Sequence, residues 1–144
     1  VKVIFAPVYL DGNDGIFNLS YYDLLLGFDL SVFPSYYEPW GYTPLECIAS
    51  GVPTATSDLA GFGDYVQNNM ENNDENGIYV INRRDKNFHE AAEQLADVMF
   101  KYVLQTRRER ITQRNKTESA SPNFDWETLY KYYDQAYDMA SKMA

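Results

Sequence analysis

An α/β fold built on a parallel sheet is what this sequence predicts, and three observations predict it. Short apolar, β-branched runs recur through the first half of the chain. Helical patterns separate them, and after the last run the pattern is helical to the end. Strands that alternate with helices imply a parallel sheet covered on both faces. Four strands are few for a free-standing doubly wound domain, and the first residue is Val, inside a strand-like run. The expectation is therefore the second half of such a sheet, cut from a longer protein.

The strands are expected at residues 3–6, 30–34, 52–56 and 78–81, with helices over 20–27, 44–50 and 63–67 between them. Residues 67–77 (QNNMENNDENG) are polar and biased, with five Asn and three acids, and read as a mobile surface loop without chemistry. Residues 87–118 read as one long helix, because Ala92, Leu95, Ala96, Met99, Val103 and Leu104 recur at spacings of three and four. Ser121-Pro122 breaks it. A last amphipathic helix over 125–143 carries Trp126, Leu129, Tyr130, Tyr133 and Tyr137 on one face, a stripe expected to pack on the body or on an absent domain. The chain divides into an α/β part, 1–86, and a helical part, 87–144.

Composition narrows the function. The 144 residues carry a net charge of −9 with a pI near 4.4, which repels phosphate backbones and anionic lipid, so neither nucleic acid nor membrane is an expected partner. One cysteine cannot form an internal disulfide, and one histidine rules out a multi-His metal site. No apolar run approaches the roughly 20 residues of a membrane span, and a cytoplasmic location is expected. The charge is split unevenly. Residues 1–80 hold eleven acids and one base, Lys2, whereas 81–144 hold eleven bases and ten acids.

The densest stretch is 33–53, FPSYYEPWGYTPLECIASGVP. A strand ends at Pro34, a loop rich in aromatic, Pro and Gly residues follows, and a helix is expected from Pro44. Ligands of open α/β sheets bind beyond the carboxyl ends of the strands, where such loops lie. Thr43-Pro44-Leu45-Glu46 reads as a capping box, with Thr43 as N-cap, Pro44 at the first helical position and Glu46 reaching back to the cap amide. The free N–H groups of Tyr42 and Thr43 then suit a phosphate, and Gly41 lets backbone approach a ligand closely. Taken alone, Glu38 is as readily an ordinary loop carboxylate and Glu46 a simple cap. Tyr36, Tyr37, Trp40 and Tyr42 fit packing equally well.

Glu38-Pro-Trp-Gly-Tyr-Thr-Pro-Leu-Glu46 is an E-x7-E motif whose wording resembles the retaining nucleotide-sugar glycosyltransferases of the GT-B fold. More narrowly, SYYEPWGYTPLE is similar to the eukaryotic-type glycogen synthases. The likeness continues through GVPTATSDLAGFG, GIYVINRR and TRRERITQRNKTE and fades mainly in the Asn-rich loop. The resemblance implies the C-terminal, Rossmann-like half of a GT-B enzyme. It implies transfer of glucose from UDP-glucose to the non-reducing end of an α-1,4-glucan, glycogen, with retention and without a metal or other cofactor.

The resemblance also implies roles. Glu38 would lie beside the transferred hexose, either stabilising an oxocarbenium-like transition state or acting as nucleophile. The amides of Trp40 and Gly41 would bind hexose hydroxyls, those of Tyr42 and Thr43 the diphosphate, and Glu46 the ribose. Tyr9 and Tyr21 match the positions that sandwich the base. The phosphate-binding Arg and Lys, and an N-terminal domain with the acceptor side of the cleft, would lie in absent parts of the same protein. The 144 residues alone are not expected to catalyse transfer.

A second candidate lies in 101–116, which holds six of the twelve bases. At about 100° per residue, Arg107, Arg110 and Arg114 fall within roughly 60° on one helix face. Like charges so placed cost stability unless an anion or acid relieves them. A solvated basic helix accounts for the pattern locally. The resemblance makes it a glucose 6-phosphate regulatory element, with Arg110 and Arg114 as the best clamps, and implies homo-oligomers in which such helices meet. In the family it resembles, relatives under tight basal inhibition carry arginine where Lys116 and Ser119 stand, which implies weaker regulation here, or none.

Other motifs fail. His89-Glu90-Ala91-Ala92-Glu93 lacks the second His of a metalloprotease helix. Cys47 reads as a packed thiol, and Gly61-Phe62-Gly63 lacks the third glycine of a dinucleotide fingerprint. Two rivals stay open: a related retaining transferase with ADP-glucose or a sucrose-type product, and a non-catalytic sugar-phosphate-sensing or assembly module around the arginine helix.

Overall fold

The computed structural model describes residues 2–143. Three strands, β1 (Ser31–Phe33), β2 (Thr54–Ser57) and β3 (Ile78–Ile81), form a parallel sheet in the order β1-β2-β3. The register pairs Val32 with Ala55 and Ala55 with Tyr79. All four residues of central β2 are buried. Short helix α1 (Tyr21–Leu25) precedes β1, and α2 (Tyr42–Ala49) and α3 (Gly61–Asn69) make the two crossovers. This is the α/β architecture that the alternation of patterns predicts, a short parallel sheet flanked by helices.

Two apolar clusters hold it together. Ile48 of α2, Phe62 and Val66 of α3, Ile78 of β3, and Ala120 and Phe124 from the C-terminal region form the larger one. The Phe62 and Phe124 rings lie 4.8 Å apart, so the helical part is anchored into the sheet's own core. Leu25, Cys47 and Val52 form the smaller cluster, with Tyr21 and Phe33 packed on it.

The first expected strand does not form. Residues 2–10 lie in irregular backbone, with Val3, Ile4 and Phe5 exposed. A parallel strand needs a hydrogen-bonded neighbour and cover on both faces. Among the described residues nothing pairs with this run, so its β-branched composition has no ladder to join.

The expected helix over 87–118 is two helices, α4 (Phe88–Leu104) and α5 (Arg107–Ala120). Thr106 breaks it as the N-cap of α5. Its hydroxyl accepts from the Glu109 N–H, and the Glu109 carboxylate accepts from the Thr106 N–H. That reciprocal box outcompetes helix continuation, and the apolar spacing that runs to Leu104 gives way beyond it to the polar α5, with Ile111 alone between Leu104 and Ala120. Asn87 and Glu90 form an equivalent box on α4. A 3₁₀ turn (Ser121–Phe124) follows α5 and leads into α6 (Trp126–Met143).

The Asn-rich loop is docked, not free. The Thr117 hydroxyl donates to the Asn76 carbonyl at 2.8 Å, Gln113 Nε2 to the Asp74 carbonyl at 3.3 Å, and Lys116 pairs with Glu75. Gly77 permits the approach, since a Cβ there would stand 2.4 Å from Thr117 Oγ1. The aromatic residues of the α6 stripe stack along the helix, Trp126 with Tyr133 at 5.4 Å and Tyr133 with Tyr137 at 6.4 Å, and stay exposed, while Leu129 is half-buried. Tyr132 meets the body, at Tyr65 and Asn69.

Candidate functional site

The loop from β1 to α2 lies at the carboxyl edge of the sheet, and neighbouring segments set its path. The Gly61 N–H donates to the Glu38 carbonyl at 2.9 Å and the Phe62 N–H to the Trp40 carbonyl at 2.8 Å. Ser57 Oγ donates to the Ser35 carbonyl at 2.6 Å. Only glycine tolerates this contact at 61, where a Cβ would lie 2.0 Å from the Pro39 carbonyl oxygen. The Trp40 ring is an anchor, packed edge-on against Phe62 and tilted against Tyr65, so only its backbone faces the site. Tyr36, Tyr37 and Tyr42 are exposed.

The helix begins earlier than the expected capping box places it. Gly41 is the N-cap, in left-handed backbone at φ +105°, and no side chain caps α2. Because Gly41 turns the chain directly into helix, Thr43 and Pro44 become the second and third helical residues. Pro44 is tolerated there because the first turn's N–H groups have no intrahelical acceptor. Thr43 therefore is not the cap and Glu46 does not reach back. The consequence favours anion binding: the N–H groups of Tyr42 and Thr43 keep no side-chain partner, at the positive end of the helix dipole.

The Glu38 carboxylate is exposed, and its Cγ lies 3.3 Å from where a Gly41 Cβ would stand, so its stem folds over the start of α2. One turn along, Glu46 Oε1 accepts from the Tyr22 hydroxyl at 3.1 Å. Tyr21, its neighbour, sits between this surface and the smaller core cluster. Burial, then the neighbouring Cys47 and Glu46, push its pKa up to about 12. Burial likewise raises the Cys47 thiol, in keeping with a packed side chain. The structure thus gathers Glu38, Trp40, Gly41, Tyr42, Thr43 and Glu46, with Tyr21 alongside. Tyr9 is 94 % exposed.

Two arginines of α5, Arg110 and Arg114, face the turn between α1 and β1. Arg110 donates from Nε and Nη2 to the Gln105 and Val103 carbonyls, both at 3.3 Å, at the negative end of the α4 dipole. Its Nη1 lies 3.9 Å from Asp29. Arg114 Nη1 donates to the Phe28 carbonyl at 2.6 Å. Arg107, one turn earlier, is exposed. The shared face is real, and two of its three cations are engaged.

Three site neighbours escape the sequence reading. Tyr22 gives no signal beyond being the second of two adjacent tyrosines. Arg83 and Arg84 lie two and three residues past β3, and cations just past a parallel strand belong to the ligand-facing edge. Counting charge only to residue 80 hides them.

A parallel sheet flanked by helices, with a glycine-shaped loop, an uncapped helix start and two carboxylates near its carboxyl edge, is an α/β architecture. The chain belongs to the glycogen synthase family, whose model matches residues 1–144. It is 46% identical over 146 residues to Saccharomyces cerevisiae glycogen [starch] synthase isoform 1, covering 100% of this chain and 21% of that protein. Identity is 45% over 133 residues with the Caenorhabditis elegans glycogen [starch] synthase, covering 92% of this chain and 20% of that one. With the Mus musculus liver enzyme it is 42% over 136 residues, covering 94% and 19%. The chain spans about a fifth of the length of these curated relatives.

Proposed function

We propose that this chain is the donor-binding segment of a longer, retaining GT-B glycogen synthase that transfers glucose from UDP-glucose to the non-reducing end of an α-1,4-glucan. One observation carries the reading: the Glu38 stem lies over Gly41 at the uncapped start of α2, with Glu46 one turn further on. A negative group and an anion-binding helix terminus thereby share one short loop. The Tyr42 and Thr43 amides meet the diphosphate, and the helix dipole offsets its charge without a metal in the mechanism. The Trp40 and Gly41 amides take hexose hydroxyls. Glu38 places fixed negative charge where an oxocarbenium-like centre develops. Glu46 accepts the ribose hydroxyls, having lone pairs for both them and Tyr22. Arginine and lysine for the leaving phosphate, and the acceptor face, come from the rest of the protein, which works in the cytoplasm where nucleotide sugars are available.

The same proposal makes the α5 arginine face an effector site for glucose 6-phosphate. Binding there exchanges the Asp29 pair and the Phe28 carbonyl for phosphate oxygens.

The test follows glucose incorporation into glycogen by the full-length protein from UDP-glucose and from ADP-glucose, with and without glucose 6-phosphate, beside Glu38→Ala. Transfer from UDP-glucose that collapses in the variant supports the reading. Full activity of the variant removes Glu38 from the mechanism, and preference for ADP-glucose replaces the donor.

A further inference from the structure

We propose that Arg83 is a positioning residue that holds the Glu38 loop in its working path by reaching across the end of the central strand. Its backbone is fixed first. Asp58, 5 % exposed at the end of β2, accepts from the Arg83 N–H at 2.8 Å and the Arg84 N–H at 3.2 Å. Arg84 then turns away, donating to the Asp58 carbonyl and to Asp64, both at 3.1 Å. The Arg83 side chain runs the other way. Its guanidinium lies 3.6 Å from the Tyr36 ring centroid, and its Nη1 donates to the Pro34 carbonyl.

β2 separates β1 from β3 in the sheet, so this contact ties together segments that share no ladder. The end of the loop is held by the backbone amides of 61 and 62. Its start, 34–36, is held by Ser57 Oγ and by Arg83. Tyr36 is two residues from Glu38 and 68 % exposed even with the guanidinium over its ring, so the Arg83 contact is what fixes the ring on this side. The task suits arginine, whose flat guanidinium stacks on a ring while an edge N–H donates to a carbonyl; an ammonium does not reproduce both contacts.

This deepens the transferase reading and rests on it. In the full-length protein, Arg83→Ala, Arg83→Lys, Tyr36→Leu and the Arg83→Ala/Tyr36→Leu double variant are compared for kcat, KM for UDP-glucose, Tm and amide hydrogen exchange over 35–38. A displaced Glu38 should lower kcat by roughly 10- to 100-fold in Arg83→Ala. KM should change much less than kcat, because the diphosphate and ribose contacts lie on α2 and the end of the loop that carries Trp40 and Gly41 is held by the 61–62 amides, none of which Arg83 touches. Exchange over 35–38 should quicken with Tm little changed, lysine should restore only part of kcat, and the double variant should be no worse than the worse single one. Unchanged exchange overturns the proposal whatever the activity. So does a kcat loss that tracks a falling Tm, or full rescue by lysine. A wild type that transfers no glucose defeats the transferase reading separately, and exchange alone then decides whether Arg83 holds the loop.

Discussion

The Tyr22 hydroxyl donates to Glu46 Oε1 at 3.1 Å, joining α1 to the second turn of α2. That hydrogen bond, and then the carboxylate's charge, raise the Tyr22 pKa, so the phenol stays a donor throughout the neutral range. It fixes one rotamer of the carboxylate proposed to receive the ribose. Tyr22→Phe should raise the donor KM of the full-length protein several-fold and leave kcat nearly unchanged. Steady-state kinetics against UDP-glucose decide this, and an unaltered KM would detach Tyr22 from donor binding.

Gly61 is the tightest point beneath the site. A Cβ there would stand 2.0 Å from the Pro39 carbonyl oxygen, and backbone, unlike a flexible side-chain end, cannot give way cheaply. Gly61→Ala should cost about 1–3 kcal/mol of stability, as overpacking does. It should also push the loop off the 61–62 amides, so kcat should fall with it. Denaturant unfolding reads the first effect and glucose transfer the second. A fully stable, fully active variant would mean that the loop lies elsewhere.

Strand spacing alone located β1, β2 and β3 to within about two residues at each end, because buried parallel strands are short β-branched runs that need no long-range information to recognise. Residues 3–6 have the same composition and fail, since pairing is a property of neighbours and not of the run itself. The E-x7-E loop was legible because its residues are contiguous. The Tyr22–Glu46 and Arg83–Tyr36 contacts span 24 and 47 positions and leave no local trace. The break at Thr106 was legible in principle: Thr106-Arg107-Arg108-Glu109 is a capping box, and the apolar spacing ends just before it, at Leu104.

The Thr106 box makes a pH-dependent prediction. The Thr106 hydroxyl, and then its N–H, hold the Glu109 carboxyl below the usual range. A folded pKa below the unfolded one, about 4.3 for Glu, contributes stability that is complete above the unfolded value. It is lost as pH falls through the folded value. Thr106→Ala should destabilise the fold by about 1 kcal/mol near neutrality, as loss of an N-cap does. It should also flatten the decline of stability on the acid side. Urea midpoints of both proteins from pH 7 down to about 3 measure this, and parallel acid limbs would contradict the box.

Asp29 competes for the cation best placed to receive a phosphate. Its carboxylate lies 3.9 Å from Arg110 Nη1 and is 71 % exposed, so the pair adds almost nothing to stability. Its charge nevertheless repels any anion that arrives at Arg110 and Arg114. Replacing it removes that repulsion and leaves the carbonyl bonds to Val103, Gln105 and Phe28 intact. Asp29→Ala should therefore leave Tm within about a degree and tighten glucose 6-phosphate binding by the full-length protein roughly threefold to fivefold, the scale of one screened charge at close range. The gain should shrink as salt is raised, because the Debye length falls to about 8 Å at 0.15 M. Calorimetric titration at two ionic strengths, beside Arg114→Ala as the loss-of-binding counterpart, separates the outcomes. Tighter binding in the first variant and weaker in the second locates the effector on this face. If neither variant changes the affinity, Arg110 and Arg114 serve only to fasten α5 to the α1–β1 turn.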